Sequence, residues 1–264
     1  MAKQMNVLEF QQKCDRGEKL TVVTAYDYSM ALAVDGAGVD AILVGDSLNM
    51  TMLGRPNTLS VSLDEMLHHA KAVAAGTKNA MVIGDMPFLS YQLGPEQALE
   101  NAGAFLAEAG VQAVKLEWCP QAAEVTRFLV ENGIPVMGHV GFTPQQINRF
   151  GGYHQQGKDV AGAARLLKEA KALEKAGAFA VVLELIPPDT AKKITAALKI
   201  PTIGIGAGPH CDGQVQVLHD LLGLLPDFHP KHAKAYLSLH EGIKNAVRQY
   251  GAEVRSGKFP PKSS

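Results

Sequence analysis

The sequence predicts a single (β/α)8 barrel, in which parallel strands and helices alternate and the strands close into one ring. Two observations lead to this fold class. Apolar, β-rich segments alternate with helical stretches along the chain, which is the pattern of a parallel α/β protein. The 264 residues also suit one barrel in length, and no Pro- or Ser-rich linker divides them. A doubly wound open sheet and a pair of smaller domains are the alternatives.

Three strands are indicated by one recurring pattern, in which a helical run ends at a glycine and an apolar segment follows. Glycine suits the left-handed position just past a helix, and a nearly continuous apolar run is what a strand covered on both faces requires. The segments follow Gly38, Gly110 and Gly177 and cover residues 39–46, 111–117 and 178–184. Further apolar segments, of which the last is weaker, bring the total to about eight: residues 20–25, 80–84, 134–137, 201–205 and 215–218.

The helices between these strands have recognisable beginnings. Ser62 and Glu65 form a capping-box pattern ahead of an apolar run, and Pro95 suits the first position of a helix. Asp27 follows a strand, where a single acidic residue is more often a helix N-cap than a catalyst. We therefore predict one barrel domain over residues 1–264, with a short, flexible tail rich in Pro, Ser and Lys from Ser256 onward.

Charge and hydropathy argue against several classes of partner. The chain has 25 basic and 26 acidic side chains, so no uniform field attracts nucleic acid or anionic lipid. The N-terminal stretch up to Cys14 is polar where a signal peptide would be apolar. No run approaches the roughly 20 apolar residues that span a bilayer. We predict a cytoplasmic protein that binds neither nucleic acid nor membrane.

Several polar residues stand at or just after the ends of predicted strands. In a parallel barrel these ends form the rim that carries the chemistry. Lys115 lies two residues before Glu117, so both side chains share one face of their strand. Carboxylates converging on one rim repel each other unless a cation or a proton neutralises them, and oxygen ligands suit a hard ion such as Mg²⁺. The strand-end residues are Asp46, Asp85, Glu117, His139 and Glu184.

Two of these residues have alternative interpretations that the sequence leaves open. His139 suits a substrate contact as well as a plain buried hydrogen bond. Glu184 follows an apolar strand and precedes two prolines, so partial desolvation could strengthen it as a base. A helix cap or a lysine partner is an equally good interpretation of Glu184 from the residues alone.

A series of ordered sequence blocks resembles the ketopantoate hydroxymethyltransferase family. The similarity runs from about Thr24 to Tyr250, nearly the whole chain. The chain departs from the family's pattern at three short places. Trp118-Cys119 stand where the family often has glycines, and Asn49 stands where a glycine is expected. His154-Gln155 stand where Lys-Val is common. The blocks are TAYD at 24–27, VGDSL at 44–48, DMPF at 85–88, VKLE at 114–117, GHVGFTPQ at 138–145, FGGY at 150–153, and IGIGAG at 203–208 with DGQ at 212–214.

This resemblance implies a barrel of the phosphoenolpyruvate/pyruvate type that assembles as a homodecamer. It implies transfer of a hydroxymethyl group from methylene-tetrahydrofolate to 3-methyl-2-oxobutanoate through a metal-stabilised enolate, giving ketopantoate for pantothenate synthesis. One Mg²⁺ per subunit is expected. The family's metal-site acids match Asp46, Asp85 and Glu117, the last acting directly or through water. Asp46 and Asp85 are also expected to contact the substrate.

The remaining site residues are carried over from the same resemblance. Ser47 and Lys115 match the family's substrate contacts, His139 matches a polar group near the substrate, and Glu184 matches the general base. The alternatives are another Mg²⁺-dependent lyase or mutase of 2-oxo acids, and a non-catalytic barrel that binds a 2-oxo acid or folate. Lyases and mutases of this class commonly use a reactive loop cysteine, and the sequence gives no cysteine a neighbour that would activate it.

Overall fold

The computed structural model describes residues 4–227 and 230–261 and contains a closed barrel of eight parallel strands. Consecutive strands are neighbours throughout, and β8 pairs with β1 to close the ring. The predicted barrel is therefore confirmed, and the open sheet is wrong. The strands are β1 Leu20–Thr24, β2 Ala41–Val44, β3 Met81–Asp85, β4 Ala113–Glu117, β5 Val136–Gly141, β6 Ala180–Glu184, β7 Thr202–Ile205 and β8 Gly213–Gln216.

Helices precede the first strand and separate most of the others. The chain divides at residue 217 into two compact units, and the first contains the whole barrel. The predicted single domain over residues 1–264 stays a prediction, and the last three residues of its tail lie outside the described residues, as do residues 1–3. The helices are α1 Val7–Asp15, α2 Tyr28–Gly36, α3 Leu48–Thr51, α4 Leu63–Gly76, α5 Pro95–Ala107, α6 Ala122–Glu131, α7 Ile147–Phe150, α8 Val160–Lys175, α9 Pro188–Ala197, α10 Leu218–Leu222 and α11 Leu239–Arg255.

The predicted helix starts are confirmed in detail. Ser62 and Glu65 form the reciprocal capping box of α4, and Pro95 is the first residue of α5. The Asp27 side chain accepts a hydrogen bond from the backbone N–H of Met30 and caps α2. Asp27 therefore satisfies a backbone donor at the helix terminus, as its local sequence predicts.

Two strands extend at least two residues beyond their predicted bounds. β5 continues to Gly141 rather than ending at Met137, because it pairs with β6 as far as Gly141 opposite Glu184. The glycines of this segment weaken the local strand signal, but pairing on both sides extends the strand. β8 begins at Gly213, and Leu218, predicted as its end, is the first residue of α10.

The amino-terminal end of the barrel is closed by α1. Phe10 of α1 is fully buried and its ring packs edge-on against Phe179, just before β6, with centroids 6.0 Å apart. Phe10 belongs to the same core cluster as inward-facing residues of the strands, such as Leu20 and Met81. This end is filled with apolar side chains, so the polar residues at the opposite end are the ones available for chemistry.

No helix in the described part of the chain is both long and apolar enough to cross a membrane.

Candidate active site

The polar residues that the sequence singled out lie at the carboxyl ends of four strands and in β5. Asp85, Glu117 and Glu184 are the last residues of β3, β4 and β6. Asp46 follows β2 by two residues, and His139 lies inside β5 rather than after it. Because all eight strands are parallel, these ends meet on one side of the barrel.

Lys115, in β4, contacts a polar residue of each neighbouring strand. It is buried opposite Asp85 in the β3–β4 register, and its Nζ lies 2.8 Å from Asp85 Oδ1. Its Nζ also lies 3.3 Å from Nδ1 of His139. Burial opposes the charge on Lys115, but Asp85, Glu117 and Asp46 outweigh burial and raise its pKa above the ordinary value. Lys115 therefore stays charged.

The acids around Lys115 are too deeply buried for all of them to ionise readily. Burial, and after it the charge of Asp85, raises the pKa of Asp46 to about 7. Burial raises the pKa of Glu117 well above its ordinary range; Lys115 opposes this rise, whereas Asp46 and Asp85 add to it. A bound cation would relieve this repulsion, as the sequence predicted.

Two carboxylate oxygens in this group fit such a cation. Within the described residues, Glu117 Oε1 is buried and makes no hydrogen bond, and Asp85 Oδ1 is buried with the Lys115 ammonium 2.8 Å away. The backbone N–H of Asp46 donates to the other oxygen of Asp85 at 3.1 Å, which places Asp46 and Asp85 next to each other. These oxygens are hard donors of the kind that Mg²⁺ binds.

The arrangement does not form a complete cage of protein ligands. Among residues 4–227 and 230–261, no group of three or more His, Cys, Asp or Glu side chains is arranged to hold a metal ion. Magnesium usually binds through one or two carboxylates and keeps waters or substrate oxygens as its other ligands. The donor set is therefore compatible with an ion bound together with substrate.

His139 lies between Lys115 and Glu184. Burial and the charge of Lys115 lower the pKa of His139 well below its usual range, so the ring is neutral. Lys115 can only donate, which makes Nδ1 the acceptor and leaves the proton on Nε2. Nε2 lies 3.3 Å from Oε2 of Glu184, without hydrogen-bond geometry. This contact joins a neutral imidazole to a carboxylate and is not an ion pair.

A glycine allows β5 and β6 to approach closely beside these two residues. Gly141 has a φ of +105°, and a Cβ at this position would lie 2.2 Å from the carbonyl oxygen of Glu184. Any other residue here would force the strands apart. Gly141 thus helps to set the position of Glu184 relative to His139.

Ser47, the first residue after Asp46, is held by Tyr26. The two hydroxyl groups are 2.8 Å apart, and Tyr26 is buried. The structure thus places Ser47 on the rim beside the acids; the substrate contact that the family resemblance implies for Ser47 stays a prediction.

The sequence departures at Trp118, Cys119 and Asn49 have structural consequences. Trp118 and Cys119 line a cavity of about 210 Å³ that also borders Glu117. Burial raises the pKa of Cys119, which keeps the thiol protonated and weakly nucleophilic. Asn49 donates to Asn57 O and the Ser60 hydroxyl and so holds the loop before α4.

One residue of the site was missed by sequence reasoning. Gln145 is buried in the loop after β5 and hydrogen-bonds both Asp46 and Glu117. The only available signal was its place at the end of the GHVGFTPQ block, directly after a strand that carries a site residue. A glutamine has no charge, so it did not stand out among the acids.

Comparison with known proteins agrees with the sequence blocks. The family model described as ketopantoate hydroxymethyltransferase matches residues 4–262. The chain belongs to this family. It is 54% identical over 254 residues to the 3-methyl-2-oxobutanoate hydroxymethyltransferase of Clostridium botulinum strain Loch Maree, covering 96% of this chain and 92% of the relative. The enzyme of the same description from Dehalococcoides mccartyi strain CBDB1 is 55% identical over 243 residues, covering 92% and 87%. The predicted family is confirmed, and with it the assignment as a transferase enzyme.

Solved structures of more distant proteins share the fold. A phosphonopyruvate hydrolase complex with oxalate and Mg²⁺ has a TM-score of 0.61 and 16% identity, covering 98% of this chain and 90% of that one. A 2,3-dimethylmalate lyase, described as a PEP mutase/isocitrate lyase superfamily member, has a TM-score of 0.62 and 16% identity, covering 98% and 91%. These likenesses confirm the predicted (β/α)8 barrel fold.

Proposed function

We propose that the chain transfers a hydroxymethyl group from methylene-tetrahydrofolate to 3-methyl-2-oxobutanoate and so makes ketopantoate, passing through an enolate. The observation that carries this proposal is the buried group of acids around Lys115 in a chain whose relatives bear that enzyme name. The C3 proton of the keto acid lies next to a ketone and is far too weakly acidic for an unaided carboxylate to remove. The site must therefore stabilise the negative charge that develops on the ketone oxygen.

Two kinds of positive charge are available for this purpose. A Mg²⁺ ion held by Asp46, Asp85 and Glu117 would act as a Lewis acid and contribute several kcal/mol. Lys115 supplies a second, fixed positive charge, because its raised pKa keeps it protonated. Ser47, beside Asp46, is positioned to orient the keto acid through its hydroxyl group.

Glu184 is the proposed base that removes the C3 proton. It is the most exposed of the site acids, with 15% of its side chain accessible, so a substrate in the barrel mouth can reach it. The neutral His139 beside it presents an N–H to the same space and can donate to the substrate or to Glu184. Water hydrolyses the methylene bridge of the folate to tetrahydrofolate and formaldehyde. The enolate carbon attacks the formaldehyde carbon, and the resulting alkoxide takes a proton to become the hydroxymethyl group of ketopantoate.

The resemblance also supports a homodecamer in the cytoplasm, and both of these stay predictions. The lyase or mutase alternative is less favoured. Such enzymes commonly use a reactive loop cysteine, and burial raises the pKa of Cys119, which makes this thiol less reactive. The folate is proposed as the donor from the family resemblance, without assigned contact residues.

The function is tested by incubating the full chain with Mg²⁺, 3-methyl-2-oxobutanoate and methylene-tetrahydrofolate and measuring ketopantoate by mass spectrometry. We expect product only when both the folate and the metal are present, and loss of product in EDTA that added Mg²⁺ reverses. Equal turnover in EDTA would contradict the metal's role. Cleavage of the keto acid without folate would favour the lyase, and binding without turnover would favour a non-catalytic barrel.

A further inference from the structure

Gln145 occupies an unusual place for a buried polar side chain. It lies in the short 3-10 turn Pro144–Gln146 that follows β5, yet it is only 4% exposed. Its partners come from the ends of β2, β3 and β4 rather than from its own strand. One loop residue therefore connects the carboxyl ends of three other strands.

Every polar group of the Gln145 side chain is used. Its Nε2 donates to Asp46 Oδ2 at 3.0 Å and to Met86 O at 2.9 Å. Its Oε1 accepts from the Tyr91 hydroxyl at 2.7 Å and from Gln92 Nε2 at 3.2 Å. An amide has two donor hydrogens and two acceptor lone pairs, so this environment permits one orientation of the side chain.

A closed ring of hydrogen bonds enforces that orientation. The Gln145 backbone N–H donates to Glu117 Oε2 at 3.0 Å, and the Glu117 backbone N–H donates to the Tyr91 hydroxyl at 3.2 Å. The hydroxyl then donates to Gln145 Oε1. A phenolic hydroxyl keeps its proton at neutral pH, so the hydroxyl of Tyr91 can complete the ring.

The chemistry of an amide suits a residue that holds metal-binding acids. The Gln145 side chain satisfies one oxygen of Asp46, and its backbone N–H satisfies one oxygen of Glu117, without adding charge, whereas a lysine or arginine would neutralise the acids. The second oxygen of Glu117, Oε1, makes no hydrogen bond within the described residues. Outer partners of this kind fix the direction in which a carboxylate presents its free oxygen.

We propose that Gln145 is a positioning residue that preorganises Asp46 and Glu117 to bind the divalent ion, an inference that rests on the proposed function. Lys115 holds Asp85 through a separate ion pair. One polar network therefore positions Asp85, and the other positions Asp46 and Glu117. Loss of the Gln145 side chain would leave Asp46 present but free to turn away from a common ion, and it would remove the acceptor of the Tyr91 hydroxyl beside Glu117.

The test compares Gln145→Met with Gln146→Met. Methionine has a similar length to glutamine but cannot form the amide hydrogen bonds. Gln146 is the matched control, because its amide donates to Trp118 O and makes no hydrogen bond to the site acids in the described structure. Binding of Mn²⁺ to the full-length protein, measured calorimetrically without substrate, is expected to weaken about 10–100-fold in Gln145→Met and less than about twofold in the control.

Kinetics separate positioning from general damage. In Gln145→Met the Mg²⁺ concentration for half-maximal activity is expected to rise, and saturating Mg²⁺ should restore much of kcat. Tyr91→Phe, which removes only the hydroxyl that orients the amide, is expected to weaken Mn²⁺ binding by a smaller factor. If Gln145→Met does not fold, Tyr91→Phe still tests the role of Gln145.

Unchanged Mn²⁺ affinity in Gln145→Met and Tyr91→Phe, with normal binding by the unaltered protein, would overturn the role of Gln145 and leave the proposed function intact. An unaltered protein that bound no Mn²⁺ even with the keto acid present would overturn the metal site and this role together. Equal weakening by Gln146→Met would also count against the proposal.

Discussion

Replacing Glu184 with Gln is expected to stop exchange of the substrate's C3 proton with solvent. Proton removal needs a carboxylate, and the amide keeps the size of the side chain but is not a base. Removing a general base typically slows its step about 10²–10⁴-fold. Proton NMR of 3-methyl-2-oxobutanoate in D₂O, with enzyme and Mg²⁺ but no folate, measures this half-reaction alone.

Glu131→Gln provides the matched control for this experiment. Glu131 ends α6, five residues before β5 begins at Val136, and so lies at the opposite end of the barrel from the site. The control should exchange the proton at the normal rate. Exchange in Glu184→Gln that is as fast as in the control would remove Glu184 from its assigned role.

Replacing Asp46 with Asn is expected to stabilise the metal-free protein while it impairs metal binding and turnover. The pKa of Asp46 rises from 3.8 to about 7 on folding, so the folded state binds a proton more tightly than the unfolded chain does. The contribution of Asp46 to the free energy of unfolding is therefore fully present below about pH 4 and is lost as the pH rises to about 7. Asparagine carries no charge at any of these pH values and can still accept from Gln145.

The size of this effect follows from the same shift. About three pKa units correspond to on the order of 4 kcal/mol, most of which the substitution should recover at pH 8. Urea unfolding in EDTA at several pH values gives the difference in unfolding free energy between Asp46→Asn and the unaltered protein. This difference should increase from pH 4 to pH 7 and then level off. A constant or decreasing difference would contradict the raised pKa of Asp46.

The fold could be predicted from the sequence because its signals are local. Gly38, Gly110 and Gly177 mark the helix ends before three strands, and capping residues such as Ser62 mark the starts of helices. The extension of β5 to Gly141 could not be predicted in this way, because it depends on pairing with β6. Residues 43 positions apart form that pairing, and no local pattern contains it.

The site shows the same division between local and distant information. The acids stood out because charged residues rarely follow buried strands without a purpose. Gln145 did not stand out, since its contact with Asp46 spans 99 positions and its importance lies in those contacts rather than in its residue type. Likewise, only the structure shows that His139 is neutral and lies beside Glu184.

The central claim is that Asp46 and Asp85 share one divalent ion with the keto acid, and anomalous diffraction tests it most directly. Crystals of the protein soaked with Mn²⁺ and 3-methyl-2-oxobutanoate should give one strong anomalous peak at the barrel rim. The account predicts that this peak lies at coordination distance, about 2.0–2.3 Å, from an oxygen of each acid and from the substrate's ketone oxygen. Bound keto acid with no metal peak between Asp46 and Asp85 would contradict it.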